Sequence, residues 1–301
     1  MRSLPLIALL LAGCPSPAGD SAPSEPEPFT LLVVPDTQFY TLAYPYVLDH
    51  MLGWAAETAQ ERNTLFLLHE GDVTHENSDE EWANARASFD LLEGALPYAV
   101  CAGNHDEIDD DDHAQFRATF PLDAVDAEPW FGGSYRPERL DSAWFRFEGG
   151  GVPWLVLTLS FGPDGDELAW ADTVLAEHPD HRAILLTHAY LGPDGTLTTP
   201  GMNIWNALQH HPGLSFVFNG HYIDSEAATR ASQGEAGNTV HQLFFNVQDR
   251  VFGGQGLLRI MRFDPLAGTV DVQTYSPWLD WFEEAPEHQF MLEGVDLGPV
   301  E

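Results

Sequence analysis

Apolar residues in this chain fall into short unbroken runs, each closed by a polar cluster, with stretches between them in which apolar positions recur every three or four residues. The runs at 29–35, 64–68, 98–102, 183–187 and 214–218 are the length of buried strands. Val47, Leu48, Met51, Leu52, Ala55, Ala56 and Ala59 lie on one face of a helix predicted over residues 44–62. Ser78-Asp79-Glu80-Glu81 reads as a capping box, and Trp82, Ala85, Phe89 and Leu92 form the apolar face of the helix behind it. Further helices are predicted over 113–120, 167–177 and 204–211. Strand alternating with helix predicts an α/β class in which helices cover sheets. Residues 144–147 and 152–159 read as an antiparallel pair, and residues 240–247, 256–263 and 269–275 as a C-terminal series of strands. Residues 253–256 read as a turn. The aromatic stretch 130–144 has no period and is expected to be a long loop. Trp278, Trp281, Phe282 and Phe290 are expected to pack the tail onto the body.

The first residues change the picture of where the folded body begins. A short basic start, an apolar stretch over 4–11 too short to span a bilayer, and Leu11-Ala12-Gly13-Cys14 resemble a bacterial lipoprotein signal with its lipobox. Cys14 is then the acylated first residue of the mature chain; the alternative is a plain secretory peptide cleaved nearby. Residues 15–28, rich in Pro, Ser, Ala and acids, read as a disordered tether. One domain is expected over 29–301, lipid-anchored at the cell envelope, on the outer membrane or the periplasmic face. Cys101, inside an apolar run, is expected to be a buried inert thiol.

Charge narrows the partners. The chain carries 47 acids against 12 bases, a formal net charge of −35, and all the bases are arginine. Such a surface repels long polyanions, so nucleic acid in bulk is excluded as a partner, and no partner protein is implied. A small anionic substrate needs local positive charge, and a bound metal is its natural source. The acids at 109–112 read as a solvated helix N-terminus, with a calcium site as the weaker alternative.

Candidate chemistry sits where the runs end. Five of them close on Asp36, Asp72, Asn104, His188 and His221, side chains that can each hold a divalent metal. If the strands share an orientation, these termini converge, and oxygen with imidazole donors suits Mn, Fe or Zn.

At these residues the chain resembles the calcineurin-like metallophosphoesterase superfamily. The family pattern of Asp-x-His, Gly-Asp, Gly-Asn-His-Asp/Glu, a lone His and Gly-His-x-His is matched by Asp36-Thr37-Gln38, Gly71-Asp72, Gly103-Asn104-His105-Asp106, His188 and Gly220-His221-Tyr222-Ile223. The resemblance implies a four-layer α/β/β/α sandwich and two divalent metals bridged by Asp72. Asn104, His188 and His221 would complete the second site and Asp36 the first. It also implies that His105 is a proton donor on the leaving-group side, oriented by Asp106. Two departures fall on the first site: Gln38 and Ile223 stand where the family has histidines. Pro35-Asp36-Thr37-Gln38, Asn246-Val247-Gln248 and Thr274-Tyr275-Ser276-Pro277 resemble a branch of exported bacterial members. The expected first site is weak and oxygen-rich, built from Asp36, Gln38 and Asp72, with Asp224 or His75 as substitutes. Arg250 is a candidate phosphate contact, against a surface salt bridge, and His75 a candidate substrate contact. The expected function is hydrolysis of small phosphate mono- or diesters. The alternative is a lipid-anchored metal-binding or interaction protein with the same fold and a degraded first site.

Overall fold

The computed structural model describes residues 25–107 and 113–300. The expectations for the signal, for Cys14, for most of the tether and for the acids at 109–112 lie outside the described residues.

The first half runs β1 (Phe29–Val34), α1 (Gln38–Ala43), α2 (Pro45–Thr58), β2 (Thr64–His69), α3 (Asp79–Phe89), β3 (Tyr98–Val100), α4 (Ala114–Thr119), β4 (Phe131–Ser134), β5 (Ala143–Gly149) and β6 (Val152–Leu159). It continues through α5 (Gly165–Glu177), β7 (Arg182–Thr187), α6 (Thr199–Leu208), β8 (Leu214–Asn219), β9 (Ala227–Gln233), β10 (Thr239–Phe245), β11 (Leu258–Asp264), β12 (Thr269–Ser276), β13 (Trp281–Glu283) and β14 (Gln289–Glu293). One sheet has the order β13-β12-β11-β1-β2-β3, with β14 also on β12; the other has the order β4-β5-β6-β7-β8-β10-β9. In the first sheet β1-β2-β3 are parallel, and in the second β6-β7-β8-β10 are. Their carboxyl ends carry the polar clusters.

The sheets face each other through aromatic side chains. Trp154 on β6 is fully buried and meets Phe29 of β1 and Phe263 of β11, each at 5.7 Å between ring centroids. Edge-to-face contacts of this kind bind two sheets beyond simple area burial. Helices α2 and α3 press Val47, Leu48, Met51, Trp82 and Phe89 onto the outer face of the first sheet, while α5 and α6 cover the second with Ala171, Val174, Ile204 and Leu208. The four layers expected from the resemblance are these.

Local departures have physical causes. The stretch 130–144 is not all loop, because β4 pairs with β5 across a register shift. Its glycines hide the strand pattern; a Cβ on Gly132 would lie 2.2 Å from the Trp144 ring. The helix predicted over 44–62 is preceded by a separate one, α1, too short to show a period. The helix predicted over 204–211 is α6, which begins earlier, at the Thr198 cap with Pro200 in its first turn, and stops at Leu208. The edge strand β9 was not predicted: it is polar and half exposed. In the tail, Trp278 and Phe290 pack on the core, whereas Trp281 and Phe282 are 41% and 37% exposed. Cys101 is buried, and burial pushes its thiol well above the usual range.

Candidate metal centre

Three loops of the first sheet and two of the second bring the site together. Asp36 follows β1 and Asp72 follows β2; Asn104 and His105 follow β3, His188 follows β7 and His221 follows β8. Asp72 and His221 hold left-handed backbone, with φ of 50° and 79°. Non-glycine residues adopt this conformation at a cost, and its presence at two converging side chains marks a functional cluster.

Asp72, His188 and His221 offer ligand atoms that all lie within 4.8 Å of one another. His188 Nδ1 stands 2.8 Å from the Glu70 carbonyl oxygen, which can only accept, so Nδ1 carries the proton and Nε2 faces the cluster. That Nε2 is 3.2 Å from Asp72 Oδ2 and 3.1 Å from His221 Nδ1. Two imidazole nitrogens and a carboxylate aimed at one point is a metal-donor geometry. Asn104 Oδ1 supplies a second indication: it is buried and has no hydrogen-bond partner among the described residues. These residues fit a divalent ion.

Electrostatics agrees. Burial would lower the basicity of His188, but Asp72 and Asp36 raise it to about 10. Burial, with Asp72 adding to it and His188 opposing, pushes the Asp36 carboxyl up to about 8. His221 is lowered to about 4 by burial and by His188. The Asp72 and Asp36 carboxylates thus favour positive charge at this point.

The Asp36 end of the site is built differently. Asp36 Oδ2 accepts from Asn246 Nδ2 at 2.9 Å, and both Asp36 oxygens lie 3.2 Å from the His221 N–H. Gln38 Nε2 donates to Asp72 Oδ2 at 3.3 Å and to Gln248 Oε1 at 2.5 Å, while its Oε1 lies 2.7 Å from His75 Nδ1. Gln38 thus reaches Asp72 as a hydrogen-bond donor, whereas the sequence suggested its oxygen as a ligand. Ile223 is 53% exposed and lines a cavity of about 130 Å3 with Asn246, Gln248 and Arg250. Asp224 is exposed, and His75 is engaged with Gln38.

His105 is held by backbone. Its Nδ1 lies 2.7 Å from the His75 carbonyl, so it bears the proton there and leaves Nε2 as the nitrogen for proton transfer. Its ring stacks on that of His75 at 4.9 Å, and its N–H donates to Asp72 Oδ1 at 3.0 Å. The capping box reaches this far: Glu81 accepts from Ser78, His75 and Glu76 N–H groups and so fixes the loop that presents the His75 carbonyl. Asp106 does not orient His105 as expected. It accepts instead from the N–H groups of Gly103, Val73 and Thr74 and from the Thr74 hydroxyl, lacing the Asp72 loop to the Asn104 loop.

Arg250 is not free for phosphate. It donates to both Glu226 oxygens and to Glu283, the salt-bridge alternative. Sequence reasoning did not name Glu70, whose buried carboxylate lacks a hydrogen-bond partner among the described residues and whose charge is opposed by Arg259. Nor did it place Asn246 and Gln248 in the site, although both follow the apolar run of β10. Phe161, after β6, packs beside His188 and His221 at 5.8 and 5.3 Å.

The family model for calcineurin-like phosphoesterases matches residues 29–223. The Bacillus subtilis (strain 168) protein YvnB is 31% identical over 268 residues; the match covers 86% of this chain and 21% of YvnB, so the chain spans about a fifth of that relative's length. Among solved structures, a dimetal phosphatase from Danio rerio aligns with a TM-score of 0.57 at 12% identity, over 89% of this chain and 99% of that one. A purple acid phosphatase from yellow lupin seeds aligns at 0.56 and 11% identity, over 91% and 55%. GAP50, the anchor in the inner membrane complex of Plasmodium, aligns at 0.54 and 9% identity, over 89% and 91%. At these identities the three structures show the shared fold.

Proposed function

The chain belongs to the calcineurin-like phosphoesterase family, and we propose on that premise that it hydrolyses small phosphate esters at a metal centre held by Asp72, Asn104, His188 and His221, with Asp36 holding a second ion. The observation that carries this reading is the convergence of the Asp72, His188 and His221 ligand atoms within 4.8 Å of one another, supported by the unpartnered Asn104 oxygen in the loop whose His105 N–H bonds Asp72. Mn, Fe or Zn suits the mixed oxygen and imidazole set. When bound, such ions supply positive charge for the phosphate and acidify a water.

The chain's own residues do the rest. His188 is fixed in one tautomer by the Glu70 carbonyl, and Asp106 keeps the Asp72 and Asn104 loops in register. His105, as the imidazolium with its Nδ1–H on the His75 carbonyl, gives its Nε2 proton to the leaving oxygen and is left neutral. Phe161 covers the His188 and His221 rings and limits water around them.

The test is hydrolysis of an aryl phosphomonoester and an aryl phosphodiester by the full chain with Mn, Fe, Zn, Mg and Ca. His105→Ala should lower kcat by about 100-fold or more while bound metal is retained. Comparable loss of metal would remove His105 from the chemical role, and turnover surviving in His221→Ala would place the activity elsewhere.

A second reading is favoured by Gln38, which donates to Asp72, and by Ile223: an interaction protein with one metal and no turnover. A neighbour whose name calls it an anchor shares the fold. Metal binding without hydrolysis of either ester would select it. The envelope location rests on acylation of Cys14; labelled fatty acid absent from the full chain, or still incorporated by Cys14→Ser, would refute anchoring through Cys14.

A further inference from the structure

A second group of metal-ligating side chains lies at the far end of the second sheet. His221 follows β8, while His210 and His211 precede it, in the turn that leaves α6. Six residues of strand separate the two groups, about 20 Å.

Asp172, on α5, faces this turn. Its Oδ1 is 2.8 Å from His211 Nε2 and 3.0 Å from His210 Nε2, and the three ligand atoms lie within 4.8 Å of one another. Consecutive side chains ordinarily diverge. Here α6 has ended at Leu208, and the two imidazoles stack with centroids 4.1 Å apart at 36°, both directed at one carboxylate. The aim of His211 is built into the backbone: its N–H donates to the Leu208 carbonyl, and its own carbonyl accepts from Leu214 N–H and Asn238 Nδ2. The His211 ring is buried, so packing as well as backbone holds its Nε2 against Asp172 Oδ1. His210 and Asp172 are 47% and 43% exposed at the side chain, which leaves a path for an ion and room for water as a further ligand.

The donor set selects the ion. Two imidazoles and one carboxylate suit zinc and its borderline neighbours, whereas calcium and magnesium require mostly oxygen. Ligands at 2.0–2.1 Å around a tetrahedral ion stand about 3.3 Å apart. The two distances to Asp172 Oδ1 need to open by only about 0.3 to 0.5 Å.

We propose that Asp172, His210 and His211 form a zinc site of three protein ligands completed by water, separate from the catalytic cluster, that ties α5 to the α6–β8 turn. The experiment is zinc and cobalt(II) binding by the full chain, by His210→Ala, by Asp172→Asn and by His221→Ala, with stoichiometry from equilibrium dialysis and melting temperature read alongside. His210→Ala and Asp172→Asn should each lose one equivalent, or bind it at least about tenfold more weakly, with ester turnover retained. Adding zinc to His221→Ala should raise its melting temperature, and His221→Ala/His210→Ala should lose that rise. His210 is half exposed, so its truncation leaves the fold intact and decides the matter if Asp172→Asn unfolds. Unchanged stoichiometry and affinity in His210→Ala, or a zinc-induced rise that survives in the double variant, would overturn the site.

Discussion

Gly220→Ala tests the Asp36 end of the centre with a single methyl group. Gly220 has negative φ, so alanine carries no left-handed penalty there and the effect is steric. Its Cβ would sit 2.0 Å from Asp36 Oδ1, where ordinary contact begins at 3.4 Å, so the carboxylate must give by roughly 1.4 Å. That movement breaks its bonds to the His221 N–H and to Asn246 Nδ2, which hold the carboxylate in place. A displacement near 1 Å in a reacting array costs about 100-fold in rate, or about 2.7 kcal/mol of transition-state stabilisation. The variant should lose the weaker-bound ion, keep the one held by Asn104, His188 and His221, and lose about 100-fold in kcat/KM for aryl phosphate. Gly165→Ala is the control. Its Cβ meets nothing within 4 Å and its site is the first turn of α5, so it should be neutral or slightly stabilising. Two ions retained in Gly220→Ala, with activity within threefold of the parent, would refute the assignment of Asp36 as a ligand.

Two further outcomes follow from the same geometry. Asn104→Ala removes an oxygen that bonds to nothing among the described residues, so metal-free stability should change by less than about 0.5 kcal/mol while manganese-induced stabilisation is lost; scanning calorimetry with and without the ion checks it, and a large metal-free loss would contradict it. Below about pH 8 both Asp36 and His188 hold protons that a cation must displace, so metal affinity should tighten about tenfold per pH unit for each proton released between pH 6 and 8. Calorimetric titration in buffers of different ionisation enthalpy measures that release, and an affinity flat across this range would remove the proposed competition.

How much of the centre could be seen in the chain alone depended on where each side chain gets its position. Asp36, Asp72, His188 and His221 stand within three residues of the end of an apolar strand, and a strand's direction fixes where they emerge. Asn104 stands four residues beyond its own. The partner of His105 was not legible, because it is the His75 backbone carbonyl, which every residue possesses. Asp106 was misread for a similar reason: its four donors are three peptide N–H groups and one hydroxyl, brought by folding. The partners of Arg250 in the expected salt bridge were not legible, because Glu226 and Glu283 are 24 and 33 residues away in sequence. The β4 and β9 strands were hidden by glycine and by exposure, which erase the alternation a half-buried strand displays.

The distribution of ligands between the two sheets also has a consequence in time. Asp36 meets the His221 N–H across 185 residues and Asn246 across 210. Contacts so distant in sequence close late, after the loop entropy between them has been overcome. A nascent or half-folded chain therefore holds Asp36, Asp72 and Asn104 without either imidazole, and the reactive array comes into being only once both sheets have docked.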